Sequence, residues 1–293
     1  MILTSPALLD HGIRKNIEGK IDTKLLEMSE FESAFLAGLL KRERPHHILE
    51  VGVSAGGTST LILEAINTYV PDARLVSVDV NKEWYKNRQL GIDKKTGWMA
   101  SEAYPGHESW NLVTGKRLPE VIETFDETFD FCVLDTVHAT PGELLDFPVI
   151  IQKMQPGGII VIHDITYHFY RRSGFSNTVL FGSCVGDKIV CLDKSRKKYF
   201  TIPNISAVRI TEDTYKYIGN IFLSMAMTWK YIPGIEEFTL YYNFYKKYYD
   251  PDYARLFYLF YHTHLKTNNV LDKEKNEQLL KINKSIMDLL GKI

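Results

Sequence analysis

The chain carries one diagnostic stretch, Glu50-Val51-Gly52-Val53-Ser54-Ala55-Gly56, which joins an apolar strand to a helix through small residues. Apolar residues at 48–53 predict the strand, and residues 58–68 predict the helix, with an apolar inner face. Glycines let the backbone approach a ligand closely because they have no Cβ. The helix that follows offers free N–H groups at its first turn. Ligands of open α/β sheets bind at the ends of the strands, so this loop predicts a site for a nucleotide or a related molecule.

Apolar strands and helices alternate on both sides of this loop. Strands are predicted at 48–53, 75–80, 110–113, 129–135 and 159–164, and helices at 24–43, 58–68, 118–125 and 141–154. Residues 81–108 are polar and predict a helix followed by an ordered loop or lid. Continuous apolar strands that alternate with helices are typical of a parallel sheet covered on both faces. The fold class is therefore predicted to be α/β, with a doubly wound and mostly parallel sheet.

The last third of the core and the C-terminal part have different patterns. Short β-type runs at 178–185, 188–192, 198–202 and 206–210 predict antiparallel strands at the end of the sheet. After about residue 211 the apolar period becomes helical, and 11 of the 17 tyrosines lie between 215 and 261. We expect an N-terminal helical segment (1–44), a ligand-binding core (45–210) and a Tyr-rich helical appendage (211–293). The appendage is expected to pack on the core or to form a homodimer interface, where tyrosine is enriched.

Composition restricts the partners and the location. The chain has 293 residues, with 35 Lys and Arg against 36 Asp and Glu, so it has no general positive field to hold nucleic acid. Its three cysteines lack metal-ligand spacing, which favours a reduced, cytoplasmic protein. No apolar run approaches the roughly 20 residues needed for a membrane span, and the N-terminus does not resemble a signal peptide.

The identity of the ligand depends on Glu50. A dinucleotide fingerprint has glycine at that position and a shorter gap to the last glycine, whereas a carboxylate suits a cationic ligand better than a diphosphate. The E-x-G-x-x-x-G pattern resembles motif I of class I S-adenosylmethionine (SAM) methyltransferases. Three further landmarks of that family follow in order: Asp79 at the end of the second strand, the fourth strand at 130–135, and the turn at 155–158.

The resemblance implies a Rossmann-like methyltransferase fold with SAM as the cofactor. It implies that the acid of Asp79 binds the ribose hydroxyls and that the loop contacts the methionine part of SAM. The chain departs from the family at Lys116, where many relatives place an acidic or polar residue near the adenine amino group. The cofactor-binding residues are predicted to be Glu50, Gly52, Val53, Ser54, Gly56, Thr58, Asp79 and Val80.

A second group of residues predicts the chemistry. Asp135 and His138 follow the fourth strand, and His163-Asp164 ends the fifth. Neighbouring parallel strands lie about 4.8 Å apart, so their ends present these acids side by side. Side chains alternate along a strand, so we expect only Asp164 of the last pair to enter the cleft. Glu143 and Asp146, on the next helix, are weaker candidates.

The D-x-x-H and H-D pattern resembles the metal-dependent small-molecule O-methyltransferases, including the macrocin O-methyltransferase and cephalosporin hydroxylase-like group. The resemblance implies that Asp135 and Asp164 hold Mg²⁺, which binds the acceptor hydroxyls. A metal lowers the pKa of a bound hydroxyl, and His138 is the predicted general base. We expect a SAM-dependent O-methyltransferase acting on a small molecule or saccharide. Arg171 and Arg172 are candidates for guiding an anionic acceptor.

Two other functions fit parts of the pattern. An oxidoreductase on the same fold would use NAD, or iron held by His138, His163 and Asp135; Glu50 argues against NAD, and strand alternation argues against the iron set. A non-catalytic interaction protein could also retain the fold, since a fold alone does not establish chemistry.

Overall fold

A computed structural model of the chain describes residues 2–3, 8–169, 175–193 and 203–268, together with the single residues 285 and 288. Several predicted features lie outside these residues: Arg171 and Arg172, the strand at 198–202, and the apolar stripe of Leu279, Ile282, Ile286 and Leu289.

The described residues contain one eight-stranded sheet. Its strands are β1 (Ile2–Leu3), β2 (His47–Val51), β3 (Arg74–Asp79), β4 (Trp110–Thr114), β5 (Phe129–Leu134), β6 (Met154–His163), β7 (Asp187–Ile189) and β8 (Ile205–Arg209). The spatial order is β1-β7-β8-β6-β5-β2-β3-β4. Strands β4, β3, β2, β5 and β6 are mutually parallel, and β8 runs antiparallel to both β6 and β7. The prediction of a mostly parallel sheet with antiparallel strands at one end is confirmed.

Helices cover both faces of this sheet. They are α1 (Gly12–Ile17), α2 (Glu30–Glu43), α3 (Gly57–Tyr69), α4 (Asn87–Leu90), α5 (Trp98–Ala103), α6 (Leu118–Val121), α7 (Gly142–Ile151), α8 (Ser176–Ser183), α9 (Glu212–Lys216), α10 (Gly219–Ser224), α11 (Ile235–Tyr248) and α12 (Pro251–Asn268). None of the helices described is both long and apolar enough to cross a membrane.

Two apolar clusters lie on opposite faces of the sheet because alternate residues of each strand point to opposite sides. Ile48 and Val133 belong to the cluster that packs against α1, α2 and α3. Leu49 and Leu134 belong to the other cluster, which also contains the buried side chains of α7, α10, α11 and α12. The C-terminal helices therefore share one core with the sheet. The division of the chain at residues 44 and 210 stays a prediction.

One predicted strand is wrong. Residues 178–185 were expected to be extended, but Ser176–Ser183 forms α8. Leu180 is fully buried in the core, the Ser176 hydroxyl donates to the carbonyl of Pro141 (3.1 Å), and the Asn177 amide donates to the carbonyl of His163 (2.6 Å). These long-range contacts outweigh the weak β preference of the local sequence.

Candidate functional site

The glycine loop has backbone geometry that only glycine adopts without strain at Gly52. Its φ is +92°, and a Cβ built there would lie 1.8 Å from the carbonyl oxygen of Asp135. The carboxylate of Asp79 holds the loop from the neighbouring strand. It accepts hydrogen bonds from the amides of Val53 (2.9 Å) and Ser54 (3.1 Å) through Oδ2, and from the amide of Asn81 (2.7 Å) through Oδ1.

Glu50 does not reach the cavity beside the loop. Its side chain is fully buried, and Oε2 accepts hydrogen bonds from the hydroxyls of Ser59 (2.6 Å) and Ser77 (2.5 Å). Burial raises the pKa of Glu50 to about 7, against the opposing effect of these two hydrogen bonds. The expectation that this acid contacts the cofactor directly is therefore corrected: Glu50 joins β2 to α3 and β3 beneath the loop.

A cavity of about 720 Å³ opens at the carboxyl ends of the strands, within the size range of small-molecule sites. Six of the predicted cofactor residues line it: Gly52, Val53, Ser54, Thr58, Asp79 and Val80. Gly56 does not, because it has a φ of +90° and packs against the backbone of Gly97. Val80 and Val137 are 45% and 42% exposed in this cavity, so they offer apolar surface to a ligand. These features fit SAM, which has an apolar adenine and polar ribose and methionine groups.

The predicted catalytic residues meet in the same cavity. His138 Nε2 lies 3.1 Å from Asp164 Oδ2 and 3.8 Å from Asp135 Oδ1. One ligand atom from each of these three residues lies within 4.8 Å of the others, a spacing that suits a divalent cation. Carboxylate oxygens, which Asp135 and Asp164 supply, are suitable ligands for Mg²⁺ or Mn²⁺. The geometry therefore fits a cation held by Asp135 and Asp164, as the sequence predicts, with His138 Nε2 beside it.

His138 is oriented by an acid from α7. The carboxylate of Glu143, which is fully buried, lies 2.9 Å from His138 Nδ1, so Nε2 is the nitrogen that faces the cavity. Burial disfavours the charged imidazole, but the hydrogen bond that its Nδ1–H donates to Glu143 and the charges of Asp135 and Asp164 raise the pKa of His138 to about 9. A buried carboxylate behind an imidazole is typical of histidines that bind metals or transfer protons.

His163 also reaches the cluster, contrary to the expectation from strand alternation. Strand β6 ends at His163, and Asp164 has a left-handed φ of +56°; both residues line the cavity, although His163 is only 3% exposed. His163 Nδ1 lies 3.0 Å from Asp135 Oδ2, and Nε2 lies 3.7 Å from Glu32 Oε1. Because each ring nitrogen faces a carboxylate, this histidine is badly placed to complete an iron site with His138 and Asp135.

Three further residues line the cavity: Thr136 and Tyr241, which the sequence did not predict as site residues, and Asp146, which was a weaker candidate. The hydroxyl of Tyr241 on α11 donates to Asp146 Oδ1 (2.5 Å), and the hydroxyl of Thr136 donates to Oδ2 (2.9 Å). Burial raises the pKa of Asp146 to about 7. The C-terminal tyrosine stripe predicted a packed helix face, but no sequence signal linked it to this cavity.

A second contact from α11 lies near the loop after β4. Glu237 accepts a hydrogen bond from the guanidinium of Arg117 (3.1 Å) and another from the hydroxyl of Tyr231. Lys116, which departs from the family pattern, lines the same region, as do Arg117 and Glu237. The charged residues at this end of the cavity thus come from two distant parts of the sequence.

A family model and several solved structures are similar to this chain. Residues 49–165 match the family model of a methyltransferase domain. None of the curated proteins compared with the chain matches it significantly. Among solved structures, the chain is similar to the O-methyltransferase TomG of Streptomyces achromogenes, involved in tomaymycin synthesis and bound to SAM, with 17% identity, a TM-score of 0.46, and coverage of 69% of this chain and 90% of that one.

Two further structures are similar at the same level. The Podospora anserina methyltransferase PaMTH1, bound to S-adenosylhomocysteine (SAH), has 12% identity, a TM-score of 0.46, and coverage of 71% of this chain and 89% of that one. An O-methyltransferase from Bacillus cereus, in complex with SAH, has 15% identity, a TM-score of 0.43, and coverage of 68% and 91%.

The residues that match the family model run from Leu49 in β2 to Ile165. They include the glycine loop, Asp79 and the cluster of Asp135, His138 and Asp164. The mostly parallel sheet with helices on both faces agrees with the Rossmann-like fold that the resemblance implied. Residues 49–165 are thus similar to a methyltransferase domain, and they carry the glycine loop and Asp79.

Proposed function

We propose that the protein is an O-methyltransferase that transfers the methyl group of SAM to a hydroxyl of a small molecule or saccharide, with a divalent cation such as Mg²⁺ assisting. The observation that carries this proposal is the Asp135, His138 and Asp164 cluster, which opens into the same cavity as the glycine loop. A hydroxyl is a weak nucleophile until it loses its proton, so a site that holds a cation and a base beside the methyl donor suits this reaction.

The loop and Asp79 would hold SAM. Residues 52–55 form one wall of the cavity, and Asp79 has three of its about four acceptor positions occupied by amides, which leaves capacity for a ribose hydroxyl. Val80 and Val137 would contact the adenine or another apolar part of the ligand. Bound SAM supplies an electrophilic methyl group on a sulfonium.

The cluster would prepare the acceptor. Asp135 and Asp164 would hold the cation, which lowers the pKa of a bound hydroxyl. His138 would accept the hydroxyl proton at Nε2, while Glu143 holds Nδ1 and stabilises the imidazolium that forms. A positioned base contributes roughly 10²–10⁴-fold to the rate of such a step. With a cation bound by Asp135 and Asp164, the pKa of His138 would be lower, because a nearby positive charge disfavours the protonated imidazole.

The first test separates SAM from NAD. We expect calorimetry to show binding of SAH and no binding of NAD.

The second test is methylation by radiolabelled SAM of a panel that contains catechols, simple sugars and primary amines, with Mg²⁺ or with EDTA. Transfer to hydroxyls that EDTA abolishes supports the proposal. Binding of NAD without SAH contradicts the cofactor assignment, transfer only to amines contradicts O-methylation, and transfer unaffected by EDTA contradicts the metal.

A matched pair of variants tests the cluster. Asp164→Asn removes a carboxylate from the cavity, and Asp126→Asn removes an exposed one. We expect Asp164→Asn to lose at least about 100-fold in rate with SAH affinity retained, and Asp126→Asn to behave as the wild type. Equal rates in the two variants would contradict the role of Asp164.

Two broader properties belong to the same proposal. We expect a cytoplasmic protein and a homodimer formed through the C-terminal helices. The exposed side chains of Ile235, Tyr248 and Tyr258 on α11 and α12 support the dimer. Light scattering of the purified chain and of a Tyr258→Glu variant measures it; a monomeric wild type contradicts it.

A further inference from the structure

A buried chain of charged groups connects the N-terminal part of the protein to the catalytic cluster. His163 is 3% exposed and lies between two carboxylates, Asp135 at Nδ1 (3.0 Å) and Glu32 at Nε2 (3.7 Å). Asp135 lines the cavity, whereas Glu32 lies on α2 and does not. Glu32 is therefore placed to act on the cluster through the His163 ring and not by contact with a ligand.

The two carboxylate oxygens of Glu32 contact different groups. Oε2 accepts a hydrogen bond from the amide of Ser29 (2.6 Å), which completes a capping box at the start of α2, while the Ser29 hydroxyl accepts from the Glu32 amide (3.3 Å). Oε1 faces His163. The helix cap thus fixes the carboxylate that faces the imidazole. Although burial disfavours its charge, the His163 ring lowers the pKa of Glu32 to about 2, so this carboxylate is ionised.

The two oxygens of Asp135 are divided in a similar way. Oδ2 is held by His163, and Oδ1 lies 3.8 Å from His138 Nε2, on the side of the cluster. A rotation of the His163 ring would release Oδ2 and allow the carboxylate to turn. Since buried partners behind a ligand orient it and tune its affinity, loss of the group that fixes the ring should weaken the site.

We propose that Glu32 is a positioning residue of the active site: its carboxylate, 3.7 Å from His163 Nε2 and not hydrogen-bonded to it, attracts the ring by charge and thereby keeps Asp135 Oδ1 directed at the catalytic cluster. This rests on the proposed function only in assigning Asp135 to the cation. No residue of α2 belonged to the site that the sequence predicted.

Two variants separate the cap from the positioning role. Glu32→Gln keeps an oxygen acceptor for the Ser29 amide, because glutamine also completes a capping box, but it removes the negative charge that faces His163. Ser29→Ala removes the hydroxyl half of the cap and leaves the Glu32 carboxylate in place. Neither residue lines the cavity. A third variant, Glu32→Asp, keeps the charge and withdraws it from the ring, and replaces Glu32→Gln if that protein does not fold.

The experiment combines two measurements on each purified full-length protein. One is the ¹⁵N NMR spectrum of histidine-labelled protein, with the His163 signals identified by their loss in His163→Gln. The other is Mn²⁺ affinity from electron paramagnetic resonance, with SAH affinity by calorimetry as a check of the cavity. We expect Glu32→Gln to shift the His163 nitrogen signals and to weaken Mn²⁺ binding about 10–100-fold, with SAH affinity within twofold of wild type. Ser29→Ala should lower the Tm and leave both measurements unchanged.

The outcomes distinguish this inference from the proposed function. Unchanged His163 signals and Mn²⁺ affinity in Glu32→Gln overturn the inference. Equal losses in Ser29→Ala and Glu32→Gln also overturn it, because the effect would then come from the helix cap. A wild type that does not bind Mn²⁺ contradicts the metal part of the proposed function, and the His163 signals alone then decide whether Glu32 positions the ring.

Discussion

Glu50 offers a quantitative test of the packing beneath the glycine loop. It is fully buried, and its pKa is raised from 4.5 to about 7. A carboxyl whose pKa is higher in the folded state binds more protons there than in the unfolded chain between these two values. The free energy of unfolding therefore falls as the pH rises through this window. The difference of about 2.5 pH units corresponds to about 3 kcal/mol, at roughly 1.4 kcal/mol per unit.

The perturbation is Glu50→Gln, which has nearly the same shape and no charge at any pH. The glutamine oxygen still accepts from the hydroxyls of Ser59 and Ser77. We expect the stability of this variant, relative to wild type, to rise by about 2.5 kcal/mol between pH 5 and pH 8, because part of the effect is already present at pH 5. The comparison cancels other titrating groups, such as Asp146, whose pKa is also raised by burial.

The assay is urea unfolding at several pH values, followed by fluorescence and circular dichroism. Glu108→Gln, at an exposed carboxylate, is the matched control and should show no comparable rise. A stability difference between Glu50→Gln and wild type that stays constant within about 0.5 kcal/mol from pH 5 to pH 8 would refute the reasoning. It would mean that Glu50 is not held in an environment that disfavours its charge.

Three further outcomes are expected. Gly52→Ala should lower the free energy of unfolding by at least about 2 kcal/mol and weaken SAH binding at least about tenfold. The reason is that the φ of Gly52 is +92° and a Cβ there would lie 1.8 Å from a backbone oxygen. The control in unfolding and calorimetry is Gly182→Ala, where a Cβ meets nothing within 4 Å. Tyr245→Phe should cost about 1–2 kcal/mol, because its buried hydroxyl donates to the carbonyl of Leu145 (2.6 Å), whereas Tyr258→Phe should change unfolding by less than about 0.5 kcal/mol; equal effects would contradict the packing of α11 on α7. Removal of divalent metal by EDTA should lower the thermal midpoint of the metal-loaded protein, and readdition of Mg²⁺ should restore it; an unchanged midpoint in calorimetric scans would count against a bound cation.

The parallel sheet could be predicted because its strands are continuous apolar runs, which few other structures require. The 48–53 and 159–164 runs lie in β2 and β6, and Asp79 and Asp135 fall at or just after strand ends. The strand ends of a parallel sheet meet at one edge, so the meeting of Asp135 and Asp164 followed from topology alone.

The positions of His163 and Glu50 could not be predicted, because they depend on single backbone angles or on contacts between residues that are distant in sequence. Alternation placed His163 and Asp164 on opposite faces of the sheet, but the strand ends at His163 and the left-handed conformation of Asp164 breaks the alternation, so both residues line the cavity. Aspartate gives only a weak sequence signal for such a conformation. The position of Glu50 was wrong for a related reason: its partners Ser59 and Ser77 lie on other elements, and nothing in the local sequence shows that they enclose it.

The tie between Asp79 and the glycine loop has a consequence for selectivity. The amides of Val53 and Ser54, which would be the natural donors to a diphosphate, are already donating to a carboxylate. An anion arriving at this loop would find its donors occupied and a negative charge behind them, while a cationic donor would meet attraction from the same group. The loop also needs no reordering when a ligand arrives, because these bonds fix its shape during folding. The loop amides and Asp79 together therefore discriminate between ligands of opposite charge.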